Sequence, residues 1–341
     1  MPKQPDVNIS GIMAELSRSS SNQKEKVLND KIKQLAIELQ KHKHALDATL
    51  LLKEHAEIEI DPIVPEDDDE SESAAVVVAS DWHTEETVNP DSVNQRNEFN
   101  LVVAEARIER FFANLIKLVK LHRNSTSIKT LILALLGDFI TGYIHEELVE
   151  TNSLSPTEAT LFVMKHIRRG MQLIEAEGGF ERIIVPCCVG NHGRTTQKKR
   201  IKTSHINSFE WMMYHILEMV KPSDKWEFKI ANGYHCIVPC YQYRLRFHHG
   251  DAMDYQGGIG GITIPVIKAI AGWDKETPAD IDIFGHFHQR LEHPKFVSNG
   301  CLIGYSDFSV QVKAGYEPPS QTFFLVEKDR GRTTTNPIFL S

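Results

Sequence analysis

The 341-residue chain lacks any run of the roughly 18 apolar residues that a membrane-crossing helix needs. Its start, Met1-Pro2-Lys3-Gln4-Pro5-Asp6, has no apolar stretch resembling a signal peptide, so a cytoplasmic address and no membrane partner are expected. Cysteine is scarce: Cys187, Cys188, Cys236, Cys240 and Cys301 are too few and too irregular for a disulfide framework, and no C-x-x-C pair suggests a structural zinc. They read as reduced packing residues. A G-x-x-x-x-G-K-[ST] loop is absent, which removes support for an intrinsic ATP motor. His145-Glu146-Glu147-Leu148 begins like a zincin helix, but position 149 is Val where a second His is needed. Gly257-Gly258-Ile259-Gly260-Gly261 does not match G-x-G-x-x-G and reads as a flexible loop. No internal repeat is visible.

Charge of one sign is concentrated rather than spread. The formal net charge is -8, yet seven acids and no base fall between Asp61 and Glu72, which leaves the remainder close to neutral. Overall charge therefore says little about partners, and 41% hydrophobic with 25% charged residues is ordinary for a folded chain.

Three regions follow from composition. Residues 1–60 form a helical extension: after Gly11 there is no glycine, and Val27, Leu28, Ile32, Leu35, Leu39, Leu46 and Leu50 recur mostly at three-, four- and seven-residue steps. Such a stripe needs a partner surface, either the chain's own catalytic domain or a second copy in a homo-oligomer. Residues 61–73, with Pro62, Pro65 and the acidic run, read as an exposed linker. From 74 to 341, short β-branched runs alternate with longer amphipathic stretches, the pattern of an α/β domain. Strands are expected at 74–80, 130–136, 182–189, 226–231, 235–240, 244–248, 280–284, 296–299, 301–305 and 322–326. Helices are expected at 94–122, from Ser155 onward, at 208–220 and at 262–271. Ser155-Pro156-Thr157-Glu158 carries an N-cap, a proline at N1 and an acid at N3.

Five clusters of metal-binding residue types stand where these strands stop. Asp81 and His83 follow the first strand, Asp138 the second, Asn191 and His192 the third; His249, with His248 beside it, ends the strand at 244–248, and His286 and His288 follow 280–284. In α/β sheets ligands bind beyond the carboxyl ends of strands, so clusters this distant in sequence can converge on one site. Asp, Asn and His without Cys suit divalent ions bound through oxygen and imidazole nitrogen. Seven ligand candidates exceed one tetrahedral zinc and fit two metals sharing a carboxylate, an arrangement suited to phosphoester hydrolysis.

Asp81-Trp82-His83, Gly137-Asp138, Gly190-Asn191-His192, His249-Gly250 and Gly285-His286-Phe287-His288 resemble the five motifs of the calcineurin-like metallophosphoesterase superfamily, in order, over about residues 74–327. The resemblance implies two mixed β-sheets in a sandwich flanked by helices. It also implies a dinuclear site with Mn as the first expectation and Fe, Zn or Ni as alternatives. By motif position Asp81, His83 and His288 resemble the ligands of one metal, Asp138 the bridge, and Asn191, His249 and His286 the ligands of the other. His192 resembles the residue that assists the leaving oxygen, as a hydroxide held between the metals attacks. Much of the superfamily has an acid after the Asn-His pair to orient that histidine, whereas Gly193 and Arg194 stand here. The string Gly190 to Thr196, with Gly137 to Gly142 and His145 to Glu147, resembles a phage-encoded subgroup described as nucleases.

Arg194 to Lys202 holds five bases and no acid beside the expected metals. Clustered Lys and Arg attract polyanions, so Arg194, Lys198, Lys199 and Arg200 are expected to hold nucleic acid, with a solvated basic loop as the plainer reading. The sequence thus points to a metal-dependent phosphodiesterase, a DNA nuclease. A phosphatase or cyclic-nucleotide phosphodiesterase, and a non-catalytic scaffold of the same fold, are the alternatives. Asp251 is expected either to orient a ligand histidine or to cap a turn. Trp82, Phe139 and Tyr143 are expected in walls or core more than on a base.

Overall fold

The structure, a computed structural model, describes residues 29–40, 43, 60–64, 71–254 and 261–341. The chain divides into two compact units, Met1–Ile58 and Glu59–Ser341. In the first, residues 29–40 are helical; the remainder of the expected helical extension, Val27, Leu28, Leu46 and Leu50 included, lies outside the described residues.

In the second unit, β1 (Ser73–Ala79) shows why its sequence is an unbroken apolar run. Every residue is buried, and alternate side chains enter different cores: Ala75, Val77 and Ala79 one, Ala74, Val76 and Val78 the other. A strand covered on both faces has no polar side to alternate. It pairs in parallel with β2 (Thr130–Leu135), and β3 (Arg182–Cys187) and β4 (Trp226–Ile230) continue the parallel run. On its other edge β1 pairs antiparallel with β10 (Ser320–Glu327), which pairs with β11 (Gly331–Phe339), giving the order β11-β10-β1-β2-β3-β4. A second mixed sheet has the order β5-β6-β7-β9-β8, from β5 (Cys236–Cys240), β6 (Tyr243–Phe247), β7 (Ile281–Phe284), β8 (Leu291–His293) and β9 (Phe296–Ser298). Val76, Ile132 and Ile184 from the first sheet meet Val238, Phe247 and Ile283 from the second in one continuous core.

Helices cover the outer faces. α1 (Leu101–His122) starts at Asn100, whose side chain accepts the N–H groups of Val102 and Val103. α2 is the short Glu146–Thr151, with His145 at its N-cap; α3 (Pro156–Glu177) begins at the capping box expected at Ser155 and Glu158. α4 is Phe209–Met219, and α1, α3 and α4 bury Ile108, Phe111, Val163, Ile167, Met213 and Leu217 on the first sheet. α5 (Thr263–Trp273) lays Val266 and Ile270 against Phe284 and Phe296 of the second sheet. The result is helix, sheet, sheet, helix: the two mixed sheets flanked by helices expected from the sequence. No helix among the described residues is long and apolar enough to cross a membrane.

Three expectations are corrected. Cys301–Tyr305 is a loop, buried over most of its length, in which Leu302 donates its N–H to the Asp81 carbonyl at 3.0 Å and Arg107 takes the Leu302 and Ile303 carbonyls in place of a ladder. The polar β11 has no counterpart among the expected strands; at the sheet's edge it needs no apolar face and tolerates Pro337. The stretch 61–73 is not wholly exposed: Ile63 is buried beside Ile60 and bridges Cys240, and Ser73 already belongs to β1. The short α6 (Asp307–Val312) precedes β10.

Candidate metal centre

Each expected cluster follows a parallel strand. Asp81 and His83 follow β1, Asp138 follows β2, Asn191 and His192 follow β3, His249 follows β6, and His286 and His288 follow β7. The strand-end loops are tied together by backbone bonds: Asp81 N to Gly137 O at 3.0 Å, Trp82 N to Asp138 O at 2.8 Å and Gly285 N to His249 O at 2.8 Å. Both sheets therefore deliver their loops to one edge of the sandwich.

Within that edge the donors form two triads, Asp81/His83/His288 and Asp138/His249/His286, and Asp138 also lies within a group with His83 and His192. Asp138 Oδ2 is 2.9 Å from His249 Nε2, and Asn191 Oδ1 is 3.2 Å from the same nitrogen. His83 Nε2 and His288 Nε2 face each other at 3.2 Å, and His288 Nε2 is 3.5 Å from Asp81 Oδ1. All seven expected ligands are thus brought together, with Asp138 between the groups. His248, by contrast, is turned away: it is fully buried, with Nε2 3.4 Å from Asp282.

The imidazole tautomers are set by the scaffold. His249 Nδ1 is 2.7 Å from the Leu136 carbonyl, which can only accept, so Nδ1 carries a proton and Nε2 is the atom turned to the centre. His192 Nδ1 meets the Thr141 carbonyl at 2.9 Å in the same way, and Thr141 Oγ1 is 3.3 Å from His83 Nδ1. Inward-facing imidazole nitrogens with buried carboxylates make a donor set that fits divalent cations of intermediate hardness, which on binding would displace the His249 Nε2 proton.

Backbone geometry shows how tightly the cluster is held. Five of the nine non-glycine residues at positive φ among the described residues are Asp81, His83, Asp138, His286 and His288. A left-handed non-glycine conformation costs about 1–3 kcal/mol and persists only where surroundings over-determine it. Here the His286 N–H bonds both Asp81 oxygens, at 2.9 and 3.0 Å, and the His192 N–H bonds Asp138 Oδ1 at 2.7 Å. Gly190 is required because a Cβ there would lie 2.0 Å from Asp138 Oδ1.

The electrostatics are those of a desolvated cluster. Burial pushes the Asp81 carboxyl up to about 7, although the positive charge of His249 opposes this. Burial would raise Asp138 too, but His249, His192 and His83 hold it well below the usual carboxylate range. Burial lowers His288 to about 3 and His286 to about 4, the latter helped by the charge of His249. His249 itself rises to about 10, because Asp138 and Asp81 outweigh its desolvation. Several imidazoles are neutral and two carboxylates lie close together, a state that cation binding relieves.

Other residues complete the site without a motif to announce them. Glu210, on the first turn of α4, is buried and accepts the N–H groups of Phe139 at 2.7 Å and Gly190 at 2.8 Å, one on each oxygen. It clamps the Asp138 loop to the Asn191 loop. Glu85 Oε1 accepts the N–H groups of Thr141 and Gly142, both at 2.8 Å. Ser80 Oγ donates to Asp81 and accepts from Asn299. A polar residue inside an apolar segment, such as Glu210 in Phe209–Met219, is the only hint the sequence carries.

The basic loop divides by role. Arg194 is spent on its own loop, with its guanidinium on the carbonyls of Asn191, Thr196 and Gln197. Lys199 pairs with Asp251 at 2.5 Å, which answers what Asp251 does. Lys198 and Arg200 are exposed. Trp82 and Phe139 are buried in the core, and Tyr143 is exposed. The segment 255–260, holding most of the glycine-rich stretch, lies outside the described residues.

A sandwich of mixed sheets with an Asp/Asn/His cluster at the carboxyl ends of its parallel strands defines the class of site. No family model and no curated protein matches the chain. Among solved structures it is similar to a single mutant of Vps29 from Entamoeba histolytica, at 12% identity and TM-score 0.32 over 77% of this chain and 98% of that one. It is also similar to hypothetical protein PH1004 from Pyrococcus horikoshii OT3 (10%, TM-score 0.36, 77% and 87%) and to the Thermus thermophilus sulfate thiohydrolase SoxB in complex with glycerol (9%, TM-score 0.31, 83% and 58%). At these identities and TM-scores no family is assigned.

Proposed function

We propose that this chain is a dinuclear-metal phosphodiesterase whose substrate is nucleic acid, a DNA nuclease of the calcineurin-like metallophosphoesterase kind. The observation that carries the reading is the pair of donor triads converging on Asp138 at the shared strand-end edge. In this reading Asp81, His83 and His288 hold one cation, Asn191, His249 and His286 the other, and Asp138 both. Mn is the first candidate. When bound, the two ions supply Lewis acidity and activate water for attack on phosphorus.

The protein's own groups do the rest. The Thr141 carbonyl keeps the His192 proton on Nδ1 and turns Nε2 toward the cluster. His192 can then carry a second proton on Nε2 and deliver it to the departing oxygen. Asp138 Oδ1 holds the His192 backbone, which fixes that ring relative to the cation ligands. The exposed Lys198 and Arg200 support a polyanionic substrate, since exposed cations release counterions on meeting one.

The test is hydrolysis by metal-stripped protein resupplied with Mn, using single- and double-stranded DNA, a generic phosphodiester and a generic phosphomonoester, with Asp138→Asn as control. DNA cleavage that the substitution abolishes is the expected result. Cleavage of small esters alone would replace the nuclease by a phosphatase or cyclic-nucleotide phosphodiesterase. Silence on all four with metals bound would overturn catalysis.

A further inference from the structure

Beside the metal centre lies a cavity of about 560 Å³ that the hydrolytic chemistry does not use. Gly190 and Asn191 line it, so it opens from the Asn191 side of the cluster. We propose that it is the subsite for a nucleoside, base and sugar, attached to the phosphate at the metals. This rests on the phosphodiesterase reading above.

Its lining is of two kinds. The loop after His192 contributes Lys199 and Arg200, while Tyr234, His235 and Trp273 form a cluster of rings. His235 and Trp273 meet edge to face with centroids 4.5 Å apart, and Tyr234 lies 5.8 Å from Trp273. The rings are fixed in place. The Tyr234 hydroxyl accepts the N–H groups of Gly250 and Ala252, at 3.2 and 2.9 Å, and the Arg246 guanidinium sits 5.4 Å over Trp273. Two acids also line the cavity, Asp251, which is paired with Lys199, and Asp254.

An inorganic phosphate would leave the rings unused, and an apolar ligand would leave the Arg200 guanidinium unpaired. A group with an aromatic face joined to an anion uses both, which describes a nucleotide. The volume falls within the roughly 300–1,000 Å³ of small-molecule sites and can admit a nucleoside.

The experiment is calorimetric titration of the full chain, loaded with Mn, by thymidine 5′-monophosphate and separately by methyl phosphate. Both carry the same phosphate, so their affinity ratio isolates the nucleoside. The expected preference is about tenfold or more for the nucleotide, the effect of one stacked base. Trp273→Ala should bring the ratio to near one, and Trp273→Phe, which keeps a ring, should retain most of it. Gly233 lines the same cavity, and a Cβ there meets nothing within 4 Å. Gly233→Leu should therefore fill the space without strain and remove the preference, with methyl phosphate binding as before. A wild-type ratio of one, or a preference that survives both Trp273→Ala and Gly233→Leu, overturns the subsite. Nucleotide preference with no hydrolysis of any ester would sustain the subsite and reject the phosphodiesterase reading.

Discussion

The backbone carbonyl of Thr141 stands 2.9 Å from Nδ1 of His192. A carbonyl thereby supplies the orientation that an acid at position 193 gives in the resembled motif, and Gly193 is left free to pack. A Cβ at 193 would lie 2.8 Å from the Glu210 side chain, so the position has no room for an acid. Thr141 is in turn held by the buried Glu85.

Glu85→Ala should release the Thr141 and Gly142 N–H groups and let His192 drift. We expect kcat to fall about tenfold to a hundredfold, within the range of one proton-transfer residue, with KM little changed. Glu85→Gln keeps an acceptor oxygen and should lose less. Steady-state kinetics with metal content measured in parallel would test this. Loss of metal in Glu85→Ala would show that the residue supports the ligands instead.

His192→Ala should lower kcat by about 10²–10⁴-fold while both cations stay bound. Asp138→Asn should lower metal occupancy as well as activity, because the shared carboxylate is lost. Elemental analysis beside kinetics separates the two outcomes. Equal metal loss in both variants would contradict the assignment of His192.

Glu210→Ala strands two buried N–H donors, those of Phe139 and Gly190. Each unsatisfied buried group costs about 1–3 kcal/mol, so unfolding of the metal-free protein should become easier by about 2–6 kcal/mol. Glu210→Gln, with one acceptor left, should lose about half of that. Urea denaturation monitored by circular dichroism would decide, and an unchanged midpoint would remove Glu210 from its clamping role.

Acid should destabilise the metal-free fold through its buried imidazoles. Burial lowers His235 to about 3, with the nearby charges of His248 and Arg246 adding to it and Asp282 opposing. A histidine whose folded value is depressed binds its proton more readily when unfolded. Its contribution is therefore present above the unfolded value of 6.5 and is lost as pH falls from there toward about 3. His235→Gln should flatten that part of the curve of stability against pH. An unaltered acid limb would place the titration on other groups.

Lys198 and Arg200 are exposed cations of the basic loop, as are Lys202 and Lys199, the last of which is paired with Asp251. Replacing both with Ala should weaken DNA binding and reduce the slope of log affinity against log salt by about one for each phosphate no longer neutralised. An identical slope would show that the loop is only solvated.

Most of the layered fold was legible in residues. Residues 74–80 read as a strand, and Ser155 to Glu158 spells a helix start that the structure repeats bond for bond. The edge strand β11 and the loop at Cys301–Tyr305 were not, because edge polarity hides a strand, and burial without a ladder imitates one. The Asp, Asn and His clusters at strand ends could be named from sequence because each follows a strand that stops at the same edge, whereas the choice of His249 over His248 came from the motif resemblance.

What the sequence alone determined is therefore which residue types reach the edge and in what order. What only the tertiary structure decided is the set of partners that aim them. The Leu136 carbonyl on His249, the Thr141 carbonyl on His192 and Glu210 across two loops are contacts between segments far apart in the chain. Two of these partners are backbone oxygens, which every residue carries, and the third is one acid among many. Their roles come from close packing at the sandwich edge, where desolvation makes each hydrogen bond obligatory and no local pattern encodes it.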